Sequence, residues 1–391
     1  VSTTKQQKMK YRKIAVKKPD SKIESSTKDN VLDELLALRN INTKEKIEKF
    51  LCPSRSDFIS PYAFCDMKKA VERIENAIEK KQKILIWGDF DCDGVTSSTV
   101  LYKALNALCA DVEVFIPDRL LHGHGLNSKE LLKFCAKDKV KLVITVDCGI
   151  SNHKEVSLLK SLGVDTILTD HHTTDDIELP QAYAIINPQV KGALDDKLNV
   201  DDIQSLTYNS GSIVAYKLAM ALLKDNKDND LKDELLVIAS FGAIADVVPL
   251  LGENRAMVKI ALDILNTKKE ASSKSIYKLL SKNVENREIT SYDVAFILAP
   301  RINAVGRLNN AKLSFDFLNE KDDVKLNVLI SQLDNYNAIR QAKCNEVYDE
   351  VTNYIQNNKT EQNAPAIILM NENWHVGVIG IVAAKVVEQY N

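Results

Sequence analysis

Through the middle of the chain, short continuous apolar runs alternate with amphipathic stretches. "KILIWGD", "VEVFIPD", "KLVITVD", "VDTILTD" and "AYAIINP" are rich in Val and Ile, and between them "SSTVLYKALNALCA" and "NHKEVSLLKSLG" place apolar residues at helical spacing. A strand buried on both faces reads as an unbroken apolar run, so the alternation predicts an α/β fold: a parallel sheet with helices on both faces over residues 77–319.

The flanks follow other rhythms. Leu32, Leu35, Leu36, Leu38, Ile47 and Phe50 keep helical spacing, broken at Pro53 and Pro61, and predict a helical lead-in over 31–76. Residues 1–30, rich in Lys and poor in apolar side chains, read as a disordered basic arm. Residues 211–265 read as helices broken within "GAIADVVPLLGENR", and "LAPRINAVGRL" as a further helical region. No Pro or Gly occurs from Glu320 to Lys359, and Leu326, Leu329, Leu333, Tyr336, Val347, Val351 and Ile355 recur there, which predicts one long linking helix over 320–360. "APAIILM" then reads as a strand and "GVIGIVAAKVVEQY" as its helix, the start of a second α/β unit over 361–391. One strand and one helix cannot bury their own faces, so a C-terminally truncated piece is expected.

Composition narrows the class without deciding it. In 391 residues, 45% are hydrophobic and 27% charged, as in ordinary globular proteins, and a net charge of -2 means that any polyanion site is a local patch. The seven cysteines are scattered and form no CxxC pair, which argues against a disulfide framework or a zinc site and predicts a cytoplasmic setting. No apolar run approaches the ~20 residues of a membrane-spanning helix.

Three of the apolar runs end in groups that carry chemistry. "LIWGDFDCD" offers Asp89, Asp91 and Asp93, "VITVD" offers Asp147, and "ILTDHH" offers Asp170, His171 and His172. In an open parallel sheet these ends share one rim, where ligands bind. Crowded carboxylates repel one another unless cations neutralise them, and carboxylates with imidazoles but no thiolates suit Mn²⁺ or Mg²⁺. Other readings fit fewer of the residues. An EF-hand loop needs an acid where Val100 stands and a helical flank where a strand is expected. A haloacid-dehalogenase-like phosphatase would use Asp91 as nucleophile and leaves Asp170, His171 and His172 unexplained. Helix capping accounts for these acids only one at a time.

"DFDCDG" (89–94), "TVDCG" (145–149) and "DHH" (170–172) together resemble the DHH phosphoesterase superfamily. "IPDRLLHGHGL" (116–126), "GAIADVVPL" (242–250), "APRINAVGRL" (299–308) and "WHVGVIGIVAAK" (374–385) look like the bacterial RecJ family of single-strand-specific 5′ to 3′ DNA exonucleases, a resemblance running from about Leu32 onward. It implies a DHH domain over 77–319 and the incomplete start of a DHHA1 domain over 361–391. It also implies two Mn²⁺ or Mg²⁺ ions held by Asp91, Asp93, Asp147, His171 and Asp246, with Asp89 and His172 at positions that face the reacting phosphate or support the ligands. Arg119, Arg301, Asn303 and Arg307 become candidate DNA-phosphate binders, and His375 a candidate near the scissile bond.

The process implied is DNA repair and recombination, with single-stranded DNA, a helicase and a single-strand-binding protein as partners and no membrane. Two residues depart from the family pattern. Trp87 stands where many relatives have His, and Ile213 stands where relatives often have Gly, which predicts an altered local turn. Two alternatives stay open: a DHH-type hydrolase of small phosphoesters such as cyclic dinucleotides, short oligonucleotides or pyrophosphate, and a non-catalytic DNA-binding relative.

Overall fold

A computed structural model describes residues 30–174, 178–284, 287–358 and 366–390, so the basic arm lies outside the described residues except for its last position. The chain divides into two compact units, the first ending at Asp57. That unit contains helices α1 (Asn30–Ala37) and α2 (Lys44–Leu51). Leu36, Ile41 and Ile47 form its apolar cluster, and Thr43 caps α2 by accepting a hydrogen bond from Lys46 N.

The second unit begins at Phe58 and contains α3 (Met67–Glu79). Met67, Ala70, Val71, Ile74 and Ala77 make one buried stripe of α3 that belongs to the main core. The segment predicted as a single lead-in is therefore split, because helical spacing shows which face is apolar but not what it packs against.

A five-stranded parallel sheet follows, of β1 (Ile84–Trp87), β2 (Val112–Phe115), β3 (Leu142–Val146), β4 (Asp165–Thr169) and β5 (Ala184–Ile186), in the order β2-β1-β3-β4-β5. Ile84 of β1 lies opposite Val112 on one side and Leu142 on the other. Side chains alternate between two cores, as the strand period requires. Ile84, Ile86, Leu142, Ile144 and Ile167 join the larger core with α3 and α4 (Cys92–Ala107). Leu85, Trp87, Val143 and Leu168 join the smaller one with α5 (Ser128–Asp138) and α6 (His153–Ser161). Both faces of the sheet are covered, so β1 and β3 at its centre are buried at every position, while the edge strand β2 stays partly exposed and carries Glu113.

Helix α4 is buried along most of its length despite the polar run Thr96 to Thr99. Each of these four hydroxyls donates back to a carbonyl three or four residues earlier in the same helix, which removes the cost of burying them.

Beyond the sheet come α7 (Val200–Thr207), α8 (Gly211–Leu222), α9 (Asn229–Ala245), α10 (Gly252–Lys268) and α11 (Lys274–Ser281). Ile213 is fully buried inside α8 and alters no turn, contrary to expectation. Lys217 of α8 pairs with Glu253 of α10 in the interior, and both groups also bind the main chain of Ile59. Then α12 (Ser291–Asp293) runs through a π-helical turn, Val294–Leu298, into α13 (Ala299–Leu308) and α14 (Lys312–Asn319).

Helix α15 (Asp323–Asn357) is 35 residues long and is followed by α16 (Val376–Tyr390). The strand expected at 364–370 is not formed at 366–370, where Ile367 and Leu369 pack on an apolar cluster of α15 and α16. A strand needs a neighbour to complete its ladder, and none pairs with this segment among the described residues. No described helix is long and apolar enough to cross a membrane.

Candidate metal centre

The sheet order reverses direction between β1 and β3, and a crevice opens outside the carboxyl ends of strands at such a point. β1 delivers Asp89, Asp91 and Asp93 to this rim, β3 delivers Asp147, and β4 delivers Asp170, His171 and His172. Asp246 arrives from the far end of α9, as its C-cap.

Main-chain donors fix several of these carboxylates. Asp91 caps α4, its Oδ1 accepting from Gly94 N at 3.0 Å. Asp93 receives the first amides of α8, Gly211 N at 2.7 Å and Ser212 N at 3.1 Å, so a helix N-terminus offsets its charge. Asp147 sits at φ 60 and donates its N–H to Thr169 O. A Cβ on Gly211 would stand 2.5 Å from Asp147 Oδ1, so only glycine lets α8 approach this closely. Asp170 is buried and accepts from Ile150 N at 3.0 Å, His171 N at 2.7 Å and His172 N at 3.1 Å.

His171 Nε2 lies 3.1 Å from Asp147 Oδ1, 3.7 Å from Asp246 Oδ2 and 3.8 Å from Asp93 Oδ2. The shortest of these is not aligned as a hydrogen bond: Asp147 Oδ1 is buried and accepts none. Single donor atoms from Asp93, His171 and Asp246 lie within 4.8 Å of one another, as do those of Asp147, His171 and His172 and those of Asp89, Asp91 and Asp147. These overlapping sets fit more than one cation.

Electrostatics point the same way. Burial, then the Asp89 and Asp93 charges, push Asp91 up to about 6. Burial, then Asp93 and Asp91, push Asp246 up to about 7. Asp147 is raised well above the carboxylate range, by burial first and by Asp93 and Asp91 next. These acids resist ionisation because burial and their mutual repulsion outweigh the His172 charge beside Asp246 and the main-chain donors to Asp91, and a divalent cation would reverse the balance.

The two histidines diverge. Burial lowers His171, whose ring also hydrogen-bonds the Asn209 backbone, so a neutral imidazole presents Nε2 to the carboxylates. His172 is raised to about 9 by its 2.7 Å hydrogen bond to Asp170 and is a cation. Burial would raise Asp170, but the His172 hydrogen bond and charge prevail and hold it below its usual value.

Helix α13 presses on the acidic loop. Asn303 Oδ1 accepts from Cys92 N at 2.8 Å, and a Cβ on Gly306 would stand 2.1 Å from Phe90 O. The remaining candidates for DNA contact separate into groups. The Arg119 guanidinium lies over the Phe90 ring, 5.4 Å from its centre. Arg307 is lowered by burial and then by the neighbouring Arg119 and Arg340 charges, and donates to Gly377 O at 3.1 Å. His375 Nδ1 accepts from Gly377 N at 3.0 Å, and the ring is lowered by burial and then by Lys343. Arg301 is directed to α15, with Nε 2.6 Å from Asp334 Oδ1 and Nη1 donating to Ile297 O.

Arg340 and Lys343 escape sequence reasoning, because the charges of α15 are scattered along it and no motif marks these two. Asp170, read from the sequence only as one of the rim groups, has the contacts of a bracket for the loop.

Residues 83–243 match the model of the DHH family, N-terminal domain. The single-stranded-DNA-specific exonuclease RecJ of Bacillus subtilis is 35% identical over 96% of this chain, which covers 46% of that protein. Among solved structures, the crystal structure of exonuclease RecJ bound to manganese is 32% identical with a TM-score of 0.72, covering 85% of this chain and 80% of that one. RecJ from Thermus thermophilus in complex with Mn²⁺ is 30% identical with a TM-score of 0.73, covering 90% of this chain and 48% of that one. The chain spans about half the length of the curated relatives from Bacillus subtilis and Thermus thermophilus.

Proposed function

The chain belongs to the RecJ family of DHH proteins, and on that premise we propose that it holds the nuclease centre of a single-stranded-DNA-specific 5′ to 3′ exonuclease. One observation carries the reading: the buried Asp147 Oδ1 has no hydrogen-bond donor and faces the neutral His171 Nε2 at 3.1 Å, among carboxylates that burial makes reluctant to ionise. Asp91, Asp93, Asp147, His171 and Asp246 would hold two Mn²⁺ or Mg²⁺ ions, with the oxygen and imidazole ligands these cations accept. Bound there, the cations supply Lewis-acid activation of water and neutralise charge gathering at phosphorus.

The surrounding side chains bind and orient. His172, kept cationic by Asp170, would donate a hydrogen bond to a non-bridging phosphate oxygen. Asp89 would orient the attacking water through Oδ2, its Oδ1 being taken by Phe90 N. Arg119 and Arg307 would hold the DNA backbone, with His375 beside them; contacts to phosphates rather than base edges make cleavage sequence-tolerant. Arg301 and Asn303 are better assigned to scaffolding, through Asp334 and through Cys92 N respectively. We assign residues 58–319 to the DHH domain, α3 being part of its core, 320–360 to a linking helix and 361–391 to the start of a DHHA1 domain. The setting is cytoplasmic DNA repair and recombination, on strands opened by a helicase and shared with a single-strand-binding protein.

The test is release of mononucleotides from 5′-labelled single-stranded and duplex DNA with Mn²⁺, comparing the protein with its Asp147→Ala variant. Metal-dependent, single-strand-selective degradation that vanishes in the variant supports the reading. Hydrolysis of only a dinucleotide or pyrophosphate would replace it with a small-phosphoester hydrolase, and DNA binding without hydrolysis with a binding module.

A further inference from the structure

One aromatic side chain at the rim has no role in the chemistry above. His124 stands on the loop after β2 with 68% of its side chain exposed. Its ring lies against Phe90, centroids 4.5 Å apart and planes at 57°. Phe90 is buried between the two acids Asp89 and Asp91, and Arg119 covers the same ring at 5.4 Å. His124 Nδ1 is 3.9 Å from Asp89 Oδ2, too far for a hydrogen bond, so the ring is held by its tilted packing on Phe90.

The loop that carries it is anchored on both sides. Asp118 N donates to His122 Nδ1 at 2.8 Å, and Asp118 Oδ1 accepts from Leu120 N and Leu121 N. On the far side Trp87 Nε1 donates to Gly125 O at 3.1 Å, and Leu126 N donates to Asn152 Oδ1 at 3.2 Å. Gly123 and Gly125 take φ 73 and φ 74, a conformation that lets the chain turn out and back around His124. Trp87, the departure from the family pattern, is thus part of the anchor.

We propose that His124 is a stacking platform for the nucleobase of the nucleotide being removed, which sets that nucleotide against the acidic cluster. The inference rests on the nuclease reading and adds to it a contact with the base. The occupant follows from shape: the phosphate contacts are assigned to Arg119 and Arg307, and a flat base stacks on the exposed ring of His124 without regard to sequence. The anchored loop holds the ring in place before substrate arrives, so little ordering is required on binding.

The experiment crosses the side chain with the base. Wild type, His124→Ala and His124→Phe are assayed with Mn²⁺ on 5′-phosphorylated single-stranded DNA and on the same DNA with an abasic 5′-terminal nucleotide. Removing the base should slow wild type about tenfold, as loss of one stacked base does. His124→Ala should lose about as much on normal DNA and nothing more on the abasic strand, while His124→Phe keeps most of the wild-type rate. Losses that multiply would overturn the proposal, since the ring would then serve only to brace Phe90. An unchanged wild-type rate on the abasic strand would overturn it as well. If wild type degrades neither DNA, the nuclease reading itself falls.

Discussion

Removing the divalent cations should make stability fall as pH rises from acid to neutral, the reverse of ordinary acid denaturation. Asp91 is raised from 3.8 to about 6 and Asp246 from 3.8 to about 7, so each binds its proton more tightly in the folded state than in the unfolded chain. Stability therefore drops as pH climbs above about 4, and the drop is complete above about 7, where both groups are charged in both states. At ~1.4 kcal/mol per pH unit the rises correspond to ~3 and ~4 kcal/mol. They do not add, because repulsion with Asp93 is common to both, and Asp246 keeps 28% of its side chain in water, which screens its share. A net loss of about 3 kcal/mol remains, equivalent to a melting shift of roughly 4 °C in a protein of this size.

The assay is thermal unfolding in EDTA and in saturating Mn²⁺ at about pH 5 and about pH 8. The stabilisation given by Mn²⁺ should be small at the lower pH and largest at the higher one, since protons and cations compete for the same oxygens. Asp246→Asn, measured in EDTA, should melt higher than wild type at about pH 8 and by clearly less at about pH 5. Equal Mn²⁺ stabilisation at both pH values, or an Asn variant less stable than wild type at the higher pH, would refute the reasoning.

Four further outcomes are expected. Arg307→Ala should raise the KM for single-stranded DNA about tenfold and lower the salt dependence of binding by about one charge, with Mn²⁺ affinity unchanged in calorimetry. Gly306→Ala should push the Asp89 to Cys92 loop away from its position, costing about 1–3 kcal/mol in unfolding experiments and more than tenfold in turnover. Lys217→Met alone should cost about 3–5 kcal/mol by leaving Glu253 buried and unpaired, and Lys217→Met with Glu253→Leu should recover most of it in chemical denaturation. Asp93→Glu should abolish Mn²⁺ binding while Asp246→Glu weakens it less, because fixed main-chain amides hold only the first.

The parts of the fold legible in the sequence are those set by local burial. Strands covered on both faces are dominated by apolar residues, and all five strands could be read as such runs despite Glu113 in the partly exposed β2, Thr145 in β3 and Thr166 in β4. The run at 364–370 has the same character, but a strand exists only where a neighbour completes the ladder, and Ile367 and Leu369 instead pack on helices. The acidic rim was legible because three strand ends of one sheet must share an edge. Asp246 was legible only through its motif, since nothing local marks the end of α9 as part of that rim. Arg301 and Arg307 show the limit most clearly: six residues apart on α13, they point ~120° apart around the helix. One faces Asp334 of α15 and the other faces Arg119, a difference set by packing and invisible in a string where both are Arg.

The same distinction explains how so much negative charge is tolerated in one crevice. The rim acids are held by the backbone: Asp91 by an amide of α4, Asp93 by the first amides of α8, and Asp170 by three amides of two loops. Amide donors carry no net charge that could satisfy the carboxylates outright, so they orient the oxygens while leaving the crevice short of positive charge. Asp147 adds a left-handed backbone to a buried oxygen with no donor, a local cost of order 1–3 kcal/mol that packing alone does not require. Asp246 takes no main-chain hydrogen bond to its side chain among the described residues and stays partly in water, so it can adjust where the others cannot. A rigid set of acids on the strand ends and one adjustable acid on a separate helix would suit the proposed centre, in which cations stay in register while a phosphodiester enters and leaves.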